Sequence, residues 1–122
     1  MSKTILIVED NALMREMYRS ALKPFGARLV ETQRGAVAAE VAKAERPNLI
    51  ILDFMLPDMT GPEVAARLKA QPETADIPIL AVTNAASEAD EEDLKKKGFA
   101  ALLPKPINLA RFSEAVARLM PK

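Results

Sequence analysis

Short uninterrupted apolar runs rich in Ile, Leu or Val punctuate the chain at Ile5 to Val8, Leu49 to Leu52, Ile79 to Val82 and Ala100 to Leu103. Runs of branched apolar residues with no polar alternation suit strands covered on both faces, as in a parallel sheet. A fifth segment, Ala27 to Thr32, is interrupted by Arg28 and Glu31, which predicts a strand at an edge. Between these runs the spacing changes to three and four residues. Met14, Met17, Tyr18, Ala21, Leu22 and Phe25 predict an amphipathic helix, capped by Asp10 or Asn11 and ended by Pro24 and Gly26. Gly35 to Ala44, rich in Ala and Val, predicts a helix with a small-residue face. Pro62 to Ala70 predicts another with Pro in its first turn. Ser87 to Lys97 is nearly all charge, with Leu94 its only large apolar residue, yet its acids lead and its lysines follow as a helix dipole favours, and Gly98 is a stop. Leu109, Phe112, Val116 and Leu119 form the core stripe of a terminal helix.

Five strands alternating with five helices make parallel βαβ units. The predicted fold is α/β, a doubly wound five-stranded parallel sheet in the flavodoxin-like order 2-1-3-4-5, which leaves the polar second strand at an edge. The 122 residues fit a single domain spanning 1–122. Equal numbers of basic and acidic residues, 17 each, give no electrostatic case for nucleic acid or an anionic membrane. The absence of Cys and His excludes disulfides, thiolate and imidazole metal sites, histidine-based hydrolysis and a phosphohistidine on this chain. The longest apolar run, Phe99 to Leu103, is too short for a membrane helix, and no signal peptide is recognisable, so a cytoplasmic location is expected.

The chemistry gathers at the carboxyl ends of the strands, where open α/β sheets bind ligands. In the order 2-1-3-4-5, strands one and three are neighbours at about 4.8 Å. That brings Glu9 and Asp10 beside Asp53. Thr83 ends strand four, and Lys105 follows strand five, roughly 10 Å from strand three and within reach of a long side chain. Two carboxylates about 5 Å apart at an effective dielectric of about 20 repel by roughly 3 kcal/mol. One lysine does not balance three acids, whereas a hard divalent cation such as Mg²⁺ does. A carboxylate, Mg²⁺, a hydroxyl and a lysine around one point form a receiver for a phosphoryl group, with Asp53 as nucleophile. Each residue also has an ordinary reading. Asp10 can cap a helix, Asp53 and Asp58 can start a turn, Thr83 suits any strand, and Lys105 can be solvated. Met14 and Met17 read as core, and the charges from Glu88 to Lys97 as a solvated face. Four strand ends bearing the required side chains together outweigh those separate readings.

With Glu9-Asp10, Asp53 followed by Met-Leu-Pro and Gly61, Thr83, and Lys105-Pro106 after Gly98, the chain resembles response regulator receiver domains, and in particular the CheY-like single-domain proteins of bacterial two-component systems. The resemblance implies that Asp53 accepts a phosphoryl group from a histidine kinase or phosphotransfer protein. It implies that Asp10, Asp53 and the Met55 carbonyl bind Mg²⁺, with Glu9 acting mainly through water, and that Thr83 and Lys105 contact the phosphoryl group. It also implies a cis Lys105–Pro106 bond. The output would be altered contact with a protein target by a monomer or weak dimer, without nucleic acid or membrane insertion. On this reading Thr83 moves inward on phosphorylation, and the loop from Asn84 with the helix after it is re-posed.

The chain departs from the family at a few positions. Leu102 stands where receivers usually have Tyr or Phe, and Asn84 where they have a small residue. Met55 and Ala85 offer no carboxylate or amide to orient water, which predicts slow self-dephosphorylation. The alternative function is a receiver-like scaffold that binds its partner without phosphorylation. An aspartyl-phosphate hydrolase is disfavoured, because Glu9-Asp10-Asn11 is not the Asp-x-Asp motif of such enzymes, and no phosphate-cradling glycine loop follows strand one. The chain is therefore not expected to be an enzyme beyond its own phosphorylation and slow dephosphorylation.

Overall fold

The apolar runs become the strands of one parallel sheet. In the computed structural model, which describes residues 3–84 and 88–120, the strands are β1 (Thr4–Val8), β2 (Arg28–Thr32), β3 (Leu49–Asp53), β4 (Ile79–Thr83) and β5 (Ala101–Pro104). They pair in the order β2-β1-β3-β4-β5, all parallel. The helices are α1 (Ala12–Leu22), α2 (Ala38–Glu45), α3 (Gly61–Lys69), α4 (Glu88–Lys96) and α5 (Leu109–Leu119). Every residue of β1, β3 and β4 is buried, while β2 is at most half-buried along its length, as its interrupted pattern predicted.

Side chains alternate across the sheet, and the two faces form two cores. Leu6, Val8, Ile50, Leu52, Ile79 and Ala81 pack against α2, α3 and Leu94 of α4. Ile5, Ile7, Leu49, Ile51, Leu80 and Val82 pack against Tyr18 and Leu22 of α1 and Phe112 and Val116 of α5. Each such Leu, Ile or Val contributes about 1.5–3 kcal/mol of transfer free energy. The sheet is thus the rigid part of the molecule, and its carboxyl edge is a fixed platform.

Element ends differ from the sequence reading for local reasons. Asn11, of the two candidates, caps α1 by accepting from the Met14 N–H at 3.0 Å. Helix α3 begins at Gly61 rather than Pro62, because Thr60 and Glu63 form a reciprocal capping box. The first turn of the Gly35 segment is 3₁₀, and the helix after it runs to Glu45, closed by Arg46 in the left-handed region. Strand β5 includes Pro104, opposite Thr83, which an edge strand tolerates. Gly98 stops α4 with a φ of 101°, a conformation that favours glycine. Ser87 and Ala85, which entered the sequence reading, lie outside the described residues.

Candidate functional site

Asp53 is the last residue of β3 and is buried, 4% exposed, although it carries a carboxylate. The backbone around it is pinned to β4: the Phe54 N–H donates to the Val82 carbonyl at 2.9 Å. The Lys105 N–H in turn donates to the Thr83 carbonyl at 2.8 Å, so the loop after β5 is tied to the end of β4. From that anchored backbone the Lys105 side chain reaches across β4, and its Nζ donates to Asp53 Oδ1 at 2.9 Å. The Lys105–Pro106 bond is cis.

Glu9 and Asp10 follow β1, the other neighbour of β3. Oxygens of Glu9, Asp10 and Asp53 lie within 4.8 Å of one another. Asp10 is exposed, whereas Glu9 is 1% exposed. Burial pushes the Glu9 carboxyl up from 4.5 to about 7, opposed by the Asn11 N–H on its Oε2 and reinforced by the Asp53 charge. Its other oxygen, Oε1, is buried with no hydrogen-bond partner among the described residues. An all-carboxylate donor set with an orphaned buried oxygen fits a hard divalent cation, which prefers oxygen ligands and keeps several waters. Tyr18 lies in the core under this cluster, and burial together with the Glu9 and Asp53 charges raises its phenol far above the ordinary range.

Thr83 is buried at the end of β4, one strand from Asp53. Met55 sits on the loop after Asp53, its side chain exposed and its backbone bridged to Thr60. The structure therefore brings Glu9, Asp10, Asp53 and Lys105 into one cluster, with Thr83 on the adjacent strand end and Met55 on the loop leaving it. Gly61 closes that loop by donating its N–H to the Phe54 carbonyl at 2.7 Å. A Cβ at Gly61 would meet the Phe54 Cα at 3.0 Å and its ring at 2.9 Å, so glycine is what lets the loop fold over Asp53. A cleft of about 360 Å³ lies beside the site, between the Asp53 loop and α4, lined by Phe54, Met55, Pro62, Asn84, Asp93 and Leu94 among others.

Two arrangements escaped the sequence reading. Asp58, read as a turn former, accepts from the Gly35 and Ala36 N–H groups at 2.9 Å each and ties the β2–α2 loop to the Asp53 loop. Those two hydrogen bonds lower its carboxyl below the ordinary value. Glu31 and Arg15 pair beside β1, a contact invisible until the edge strand is placed.

A doubly wound sheet with a lysine-paired, buried aspartate and two further acids at its carboxyl edge defines a receiver-type module. The response regulator receiver domain family model matches residues 5–117, and the chain belongs to that family, the CheY-like receivers of two-component signalling. It is similar to the polar-differentiation response regulator DivK of Brucella anthropi, 38% identical over 116 residues that cover 95% of this chain and 94% of the relative. Among solved structures it resembles the chemotaxis response regulator CheY4 of Vibrio cholerae, with a TM-score of 0.89 and 27% identity over 98% of this chain and all of that one. It also resembles the receiver domain of the sensor histidine kinase PA1611 from Pseudomonas aeruginosa, with a TM-score of 0.85 and 28% identity over 98% of each chain. That receiver is described with a magnesium ion coordinated in its active site cleft. Among the described residues, no helix is long and apolar enough to cross a membrane.

Proposed function

We propose that this receiver takes a phosphoryl group onto Asp53 from the phosphohistidine of a histidine kinase or phosphotransfer protein and then signals by altered contact with a protein target. Glu9, Asp10, Asp53 and the Met55 carbonyl would hold Mg²⁺, whose bound charge would help neutralise the phosphoryl oxygens. The observation that carries the reading is the buried Asp53 carboxylate held at 2.9 Å by Lys105 within a cluster of three acids. Burial removes competing water from the nucleophile, and Lys105 fixes one of its oxygens.

An Asp53 oxygen attacks phosphorus, the P–N bond to the donor imidazole breaks, and the leaving ring keeps the electron pair and is protonated. Lys105 and the Thr83 hydroxyl donate hydrogen bonds to the phosphoryl oxygens, where charge accumulates. The family's usual ring is replaced by Leu102, which packs against the core on the α3 side. Switching then rests on Thr83 and α4 without a ring rotation. A donor histidine charged from ATP would put the reaction in the cytoplasm.

Intact-mass spectrometry after incubation with acetyl phosphate, with and without Mg²⁺, tests the proposal. One Mg²⁺-dependent phosphoryl addition is expected on the wild type and none on Asp53→Asn. No addition from either acetyl phosphate or a phosphorylated phosphotransfer protein would leave the scaffold reading in its place.

A further inference from the structure

The loop that carries Glu9 and Asp10 is short, and it leaves the sheet at Val8. Its first N–H remains in the sheet, with Glu9 N donating to the Thr32 carbonyl at 3.0 Å. The Glu9 and Asp10 carbonyls accept instead from a side chain of α1. Both are taken by one side chain: Arg15 Nη1 donates to the Glu9 carbonyl at 3.0 Å and to the Asp10 carbonyl at 2.9 Å. Arg15 is itself fixed at the main chain, its N–H donating to the Asn11 carbonyl at 3.0 Å in the first turn of α1. Its Nε faces Glu31 at 3.4 Å. Both partners are largely covered, at 15% and 24% exposure, whereas Arg19, which also pairs with Glu31, is 46% exposed. A covered guanidinium on two carbonyls is more than a surface ion pair, which is ordinarily worth little.

We propose that Arg15 is a positioning residue for the acidic pair, aimed by Glu31 of the edge strand. By holding both carbonyls it sets the backbone from which the Glu9 and Asp10 carboxylates project toward Asp53. The charge that interrupts β2 thereby has a role at the site. This inference rests on the Mg²⁺-binding receiver function proposed above, and it concerns residues that approach the ligand only through others.

Its sign separates it from simple electrostatics. Deleting a nearby cation strengthens the attraction of a carboxylate cluster for Mg²⁺, whereas deleting a clamp on the ligands weakens binding. Calorimetric titration of the wild type with MgCl₂, beside Arg15→Met, Arg15→Lys, Glu31→Gln and Arg19→Gln, reads that sign. Arg15→Met should weaken Mg²⁺ binding about tenfold, as outer partners of metal ligands commonly do. Arg15→Lys should recover part of the loss, since an ammonium can serve both carbonyls but leaves Glu31 without its Nε partner. Glu31→Gln should weaken binding less than Arg15→Met, and Arg19→Gln, which touches neither carbonyl, should keep wild-type affinity. Amide exchange at Asn11 should quicken in Arg15→Met while the β3 amides are unchanged. Unchanged or tighter Mg²⁺ binding by Arg15→Met overturns the inference while leaving the receiver function standing. Failure of the wild type to bind Mg²⁺ overturns both. If Arg15→Met does not fold, Arg15→Lys and Glu31→Gln decide: weaker binding by both upholds the role, and wild-type affinity in both overturns it.

Discussion

The two sides of the carboxyl edge are held very differently. On the β1 side, the Glu9–Asn11 loop is tied by the Thr32 carbonyl, the Arg15 guanidinium and the Asn11 cap. On the β4 side, α4 offers the core one buried side chain among residues 92–96, Leu94, and a cleft of about 360 Å³ lies between that helix and the Asp53 loop. Its Lys97–Asp93 pair is exposed and contributes little. By contrast, α5 buries Phe112, Ala115 and Val116. Elements with few buried apolar contacts open at low free energy and are where conformational response concentrates. The molecule thus pairs a preorganised acidic side with a lightly anchored side next to Thr83, an arrangement that suits the proposed phosphoryl acceptor, which would bind its ligands rigidly and report them elsewhere.

Breaking the anchors tests that contrast most strongly. Phe112→Ala should cost about 3–5 kcal/mol of global stability in denaturant unfolding. Leu94→Ala, about 2 kcal/mol by the same rule, should instead speed amide exchange across α4 with a smaller shift of the global midpoint. Equal global losses would mean that α4 is as firmly built in as α5.

Gly61→Ala forces a Cβ against the Phe54 backbone, and overpacking of this kind costs about 1–3 kcal/mol. The loop over Asp53 must shift, so phosphorylation from acetyl phosphate should slow by more than the stability loss alone accounts for. A variant that phosphorylates at the wild-type rate would show that the loop has slack.

The smallest effect expected is at Asp58. Its folded pKa lies below the unfolded 3.8, so its contribution to stability is present above that value and is lost as pH falls through the folded pKa. The difference in thermal midpoint between wild type and Asp58→Asn should therefore be largest at neutral pH and shrink as pH is lowered toward 3. A difference independent of pH would mean that the carboxylate charge is not what binds the Gly35 and Ala36 N–H groups.

The strands and the acid–lysine cluster are legible because three apolar runs are followed at once by Glu9, Asp53 or Thr83, and the fourth by Lys105 two places on. The strand order 2-1-3-4-5 and the spacing between neighbouring strands then put Glu9, Asp10 and Lys105 around Asp53. Arg15 and Glu31 were not legible, since their meeting depends on the parallel register that sets Glu31 opposite Ile7. Asp58 escaped for a related reason: a turn-forming residue satisfies local rules without revealing that its carboxylate spans to another loop. The start of α3 was misplaced by one residue because Pro62 is a strong signal, whereas the Thr60–Glu63 box acts over a longer spacing. Burial of Glu9 was hidden too, because nothing in an acidic dipeptide tells which member faces inward.

Hydrogen exchange on the phosphorylated protein, compared with the unphosphorylated wild type at saturating Mg²⁺, reads the contrast between the two sides directly. Exchange should be slower at the amides of residues 88–98 in the phosphorylated protein, with those of Glu9, Asp10 and Asn11 alike in both. Identical exchange through 88–98, or a change confined to the β1–α1 loop, would contradict that contrast.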